Sequence, residues 1–84
     1  MVRKQHHSTL LPVPVKVVVQ HDLSVNFRGM NFGLRGIPGL ISKQVVTITH
    51  YDWHHNEITI SVTHSPTVTH CYIANSVRTV SHCA

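Results

Sequence analysis

The chain has 84 residues, 42% of them hydrophobic, with seven Lys and Arg against three acids for a formal charge of +4. That length suits one small domain, and no apolar run is long enough to span a bilayer as a helix. A basic surface prefers polyanions, nucleic acid before an acidic membrane or protein.

Val, Ile and Thr are abundant while Ala, Leu and Glu are scarce, a balance that favours strands. No window shows helical periodicity beyond two turns. Residues 1–12 read as a flexible basic arm carrying Arg3, Lys4, His6 and His7. The opening Met1-Val2-Arg3-Lys4, followed by Leu10-Leu11, has the look of a leader. Lys16 interrupts the apolar run and no small-residue cleavage site follows, so none is expected. The remainder, 13–84, reads as one small β-barrel domain.

Pro12 and Pro14 hold the chain extended and suit the start of an edge strand over 15–20. The unbroken Val17-Val18-Val19 predicts burial on both faces or a sharp local twist. His21-Asp22 turns into strands over 23–27 and 30–34, joined at Arg28-Gly29, where glycine supplies the positive φ of a tight hairpin. Gly33 predicts a bulge or a close backbone approach. Pro38-Gly39 reads as a type II turn, with Leu40 and Ile41 plugging one end of the barrel. Strands over 44–49 and 57–62 then flank an aromatic tip, Tyr51-Asp52-Trp53-His54-His55-Asn56. The strands between 23 and 62 are expected to pair antiparallel in sequence order. Ser65-Pro66 marks the next turn, 68–73 a sixth strand, and 77–80 a short seventh after a turn at 74–76. The fold predicted is all-β, a small, partly open antiparallel barrel of five to seven strands.

Enzyme machinery is scarce. Asp22, Asp52 and Glu57 are the whole acidic complement, and the two aspartates fall at turns, where Asp serves the backbone. No nucleophile elbow, cysteine-protease signature or phosphate-cradling glycine loop is present. Neither catalysis nor a cofactor is expected. Among the nine histidines, His50 and His54 sit four apart at a hairpin, and Cys71 adjoins His70. Zinc prefers four N or S ligands in tight pairs. His50, His54 and Cys71 are therefore the residues a metal would use, although no metal is the reading favoured. Cys71 and Cys83 can bridge, but in the cytoplasm, where the chain is placed by this reading, they would stay reduced.

The cations Arg28, Arg35 and Lys43 fall at turns or strand ends, and Lys16 and Arg78 on nearby strands. Cations on one side of a small barrel neutralise phosphates without reading sequence. Trp53 and Tyr51 at the hairpin tip either stack on a base or cap the barrel end. Arg28, Arg35, Lys43, Lys16 and Trp53 are thus the nucleic-acid candidates.

The central stretch runs Val25-x-Phe27-x-Gly29-x-x-Phe32-x-Leu34, Pro38-Gly39-Leu40, Lys43-Gln44-Val45 with Ile48, Asp52-Trp53, and Ile58-x-Ile60-x-Val62. It resembles, over residues 17–62, the small β-barrel that follows the catalytic domain in transposases of the bacteriophage Mu type. The resemblance implies a non-catalytic barrel that lends a basic surface to DNA and packs on an adjacent catalytic domain, with Arg28, Arg35 and Lys43 on phosphate. A second reading is an assembly domain that self-associates through its Val-rich edge. A histidine-based metal binder is the third. None of the three involves a membrane.

Overall fold

The computed structural model describes residues 2–3 and 8–83, and every regular element among them is a strand. The strands are β1 (Val2–Arg3), β2 (Thr9–Val18), β3 (Ser24–Phe27), β4 (Met30–Gly33), β5 (Val45–Asp52), β6 (Glu57–Ser65), β7 (Val68–Asn75) and β8 (Val80–Cys83). Six form one sheet in the order β1-β8-β7-β6-β5-β2, while β3 and β4 form a separate pair. Only the short β1 pairs parallel, against β8. The all-β class and the open, unclosed sheet agree with the sequence. Lys4, His6 and His7 of the expected arm lie outside the described residues. Thr9 and Leu10, assigned to that arm, pair with Tyr51 and His50 in β2.

Of the antiparallel pairing in sequence order expected over 23–62, β3–β4 and β5–β6 hold, while β4 and β5 fall in different sheets. β3 and β4 make a regular hairpin from Ser24↔Gly33 to Phe27↔Met30. Its turn has φ of 54° at Arg28 and 79° at Gly29, the primed geometry that matches strand twist. β2, however, passes over this hairpin and pairs with β5. The cause lies in the loop after β2. The Leu23 N–H donates to the Gln20 carbonyl (2.9 Å), the Gln20 N–H to the Ser24 carbonyl (2.8 Å), and Leu23 takes a φ of 58°. This tight loop lifts the chain off the sheet. Val19, meanwhile, donates to the Gln44 carbonyl (2.8 Å) and accepts from the Lys43 N–H (2.7 Å), so the β2–β5 ladder closes beneath.

The hairpin therefore lies across the inner face of the large sheet. Val25, Phe32, Leu34 and Ile37 from the hairpin and its exit loop pack with Val46, Ile48, Ile58, Ile60, Val62, Tyr72 and Ala74 from the sheet. Each fully buried Val, Leu, Ile or Phe among them contributes about 1.5–3 kcal/mol.

Local corrections follow the same logic. Val17 and Val19 turn inward while Val18 is 56% exposed, so the valine run alternates rather than burying both faces. Leu40 is buried but Ile41 points outward, so only the first plugs the core. Gly39 has a φ of 72°, as a type II turn requires. Gly33 marks a close approach and not a bulge: a Cβ there would lie 2.8 Å from Cγ of Arg78. The seventh strand predicted over 77–80 begins instead at Val80. The Asn75 side-chain oxygen accepts from the Val77 and Thr79 N–H groups (3.0 and 3.2 Å) and holds those residues in a turn.

Two irregularities set which side chains face inward. In β5, Ile48 pairs with Ile60 and His50 with Thr59, which leaves Thr49 as an extra residue. In β6, Thr63 pairs with Thr69 and Ser65 with Val68, which leaves His64 as another. Such bulges re-aim the side chains beside them.

Candidate functional site

The bulge at Thr49 shifts the phase of β5, so that Tyr51 falls opposite the inward Ile58 and His50 opposite Thr59. Phe27 meets the Tyr51 ring edge-on at 5.4 Å. The next residue, Arg28, sits at the hairpin turn and carries its guanidinium 5.2 Å above the same ring. The pairing suits a cation on a π-face and leaves the N–H groups free to meet an anion. Arg28, Tyr51 and Trp53 share an open cleft of about 410 Å³ with Thr9, Leu10, Leu11 and Pro12.

Trp53 is 65% exposed, while Tyr51 is half-buried. It stacks on the His54 ring at 4.1 Å with planes 27° apart. Asp52, buried at the base of this tip, fixes the turn. It accepts from the His54 N–H (3.0 Å), the His55 N–H (3.2 Å) and His55 Nδ1 (2.9 Å). Burial acts to raise its pKa, but the hydrogen bonds from His55 and His54 prevail and hold it below the ordinary carboxylate value.

The acids are committed to local structure. Asp22 accepts from the Ser24 hydroxyl. That bond, with help from the Arg78 charge, lowers its pKa. Glu57 is half-buried opposite Asp52. Among the described residues the exposed cations are Lys16, Arg28, Arg35, Lys43 and Arg78, against the exposed Asp22.

These cations do not form one row. Arg35 lines a small hollow of about 40 Å³ with Arg78, Asp22, Ser24 and Gly33. Lys43 stands in the loop before β5 with a φ of 69°. Lys16 lies on β2, exposed, opposite Thr47. Of the five nucleic-acid candidates, Arg28 and Trp53 are the two that share a cleft.

The metal candidates are separated. His50 lies within β5, its Nδ1 2.9 Å from the Thr49 hydroxyl, and His54 is stacked in the turn. Cys71 is bonded to Cys83, where the sequence reading expected both thiols to stay reduced. Among the described residues, no group of three or more His, Cys, Asp or Glu has metal-holding geometry.

Sequence reasoning missed the wall contributed by Thr9, Leu10, Leu11 and Pro12. The signal was the Leu10-Leu11 pair directly before Pro12, which a polar arm has no use for. No helix of the described residues is long and apolar enough to cross a membrane. Compared with protein-family models, with curated proteins and with solved structures, the chain finds no match.

Proposed function

We propose that the chain is a non-catalytic module that binds nucleic acid with little sequence preference. Arg28 meets a phosphate and Trp53 stacks on an unpaired base. The observation that carries this reading is the open cleft in which Arg28, Tyr51 and Trp53 come together. A guanidinium held over one ring beside a second, exposed ring combines the two elements of strand binding without base readout. The setting that fits the sequence resemblance is the DNA-binding barrel of a Mu-type transposase, acting in the cytoplasm beside a catalytic domain. In that compartment the Cys71–Cys83 bond seen in the structure would be open to reduction. Neither cysteine lines the cleft, so binding survives reduction in this account.

The test is anisotropy of a labelled single-stranded oligonucleotide and of its duplex, titrated at several salt concentrations. Affinity is expected in the micromolar range or weaker, falling as salt rises. Trp53→Ala should weaken single-strand binding by about 5- to 100-fold, the loss typical of one stacked base. Arg28→Ala should lower the log–log salt slope by about 0.7–0.9, one phosphate contact. Lys43→Ala, outside the cleft, should change binding less than Arg28→Ala. Absence of binding at low salt, or binding indifferent to both cleft variants, overturns the proposal.

A further inference from the structure

At the far end of β6 from Trp53, three histidines and a tyrosine gather on the inner face of the sheet. Val62 pairs with His70, and Tyr72 with both Ile60 and His82. The alternation of β6 puts His64 on the side of Val62, and the bulge at His64 brings it beside His70 without a partner of its own. The His64 and His70 ring centroids are 5.0 Å apart, with planes at 58°. Tyr72 presents its ring to both at 6.4 Å, and its hydroxyl lies 3.4 Å from His64 Nε2. His82 stands on the opposite side of Tyr72, at 5.1 Å. With Pro38, Gly39 and Val68 these residues line an open cleft of about 460 Å³.

Among the described residues, no carboxylate, lysine or arginine lines this cleft, so no salt bridge among them accounts for the cluster. Geometry offers a different account. Two imidazoles on one tetrahedral ion, each with a metal–nitrogen bond of about 2.0–2.1 Å, set their ring centroids about 5 Å apart. The His64–His70 pair already has that spacing. Imidazole suits copper, nickel and zinc, with Cu²⁺ the tightest of the divalent series.

We propose that His64 and His70 bind one late first-row divalent cation, Zn²⁺ or Cu²⁺, with the Tyr72 hydroxyl beside it and solvent completing the coordination. His82, screened by the Tyr72 ring, is not a ligand. Two protein ligands make an exchangeable site rather than a structural one, since structural zinc is held by four. The site owes nothing to the nucleic-acid reading and lies outside its cleft.

The experiment is a Zn²⁺ titration of the full chain followed by NMR of the histidine rings. A His6→Gln/His7→Gln background removes a competing pair of imidazoles. The first equivalent should shift the His64 and His70 rings and leave those of His54 and His55 in place. His64→Gln and His70→Gln should each weaken Zn²⁺ binding by about 10-fold or more, while His82→Gln and His54→Gln should not. Both replaced side chains are exposed, so the fold should persist, and circular dichroism checks that it does. The ring shifts of the unreplaced protein test the site even if a variant misfolds. First-equivalent shifts confined to other histidines, affinity unchanged in both variants, or no binding at millimolar Zn²⁺ would overturn the proposal.

Discussion

The two clefts sit at opposite ends of β6, and they are built for different partners. At the Glu57 end, Arg28 carries a permanent charge over Tyr51, beside the exposed Trp53. At the Ser65 end the polar groups are imidazoles and a phenol, with no fixed charge among the described lining residues. The first end should answer to salt, the second to metal ions. One strand thus separates a site that works through charge from one that works through lone pairs. The two ends are also braced differently. Asp52 ties down the first through hydrogen bonds, whereas the Cys71–Cys83 bond fixes β7 to β8 near the second.

The largest way to break this symmetry is to remove the covalent brace. The double replacement Cys71→Ser/Cys83→Ser opens a link between residues 12 apart and should cost about 3 kcal/mol in denaturant unfolding. Oligonucleotide affinity at the Arg28 cleft should hardly change. A matching loss there would show that the ends are not independent.

Gly33→Ala probes the contact between the hairpin that carries Arg28 and the turn that feeds β8. The added Cβ would meet Arg78 Cβ at 2.9 Å and its Cα at 3.3 Å, atoms that cannot swing aside. A loss of about 1–3 kcal/mol in thermal or chemical melts is expected from this overpacking.

The smallest effect falls on the acid brace. Asp52→Asn retains an acceptor for the backbone N–H groups but loses the charge, and should cost about 1–1.5 kcal/mol at pH 7. Because the folded pKa of Asp52 is lowered, its contribution is complete above the unfolded value near 3.9 and disappears as pH falls through the folded value. The difference between wild type and variant should therefore narrow in acid, as a series of melts from neutral to low pH would reveal. A constant difference would mean that the Asp52 charge does not stabilise the turn.

Alternation made the strands legible, and Arg28-Gly29 and Pro38-Gly39 made two turns legible. Partners were less so. Period two says that Val15, Val17 and Val19 face one way, but not that their strand pairs with β5 rather than β3. That choice is made by the Gln20–Ser24 loop and by the need to cover the hairpin's apolar side. The extra residues at Thr49 and His64 were also hidden, since each is an ordinary residue in an alternating run. They decide that Tyr51 falls opposite Ile58 and that His64 meets His70. Arg28 and Trp53 were found as types suited to a phosphate and a base. Their common cleft rests on Tyr51, whose inward direction depends on the unseen bulge.

Pro12 and Pro14 have a consequence beyond shaping β2. The ladder to β5 jumps from Leu10↔His50 to Val15↔Ile48, so both prolines sit where the sheet asks for no bond. β2 is also an outer strand of the sheet. With two N–H groups missing near its middle, it is a poorer template for an added strand than an edge without proline. A second molecule arriving as an added strand, or the first layer of a fibril, would find donors absent where it needs them. The exposed Leu10, Val13 and Val18 thus lie on an outer strand whose prolines disfavour its extension by another strand.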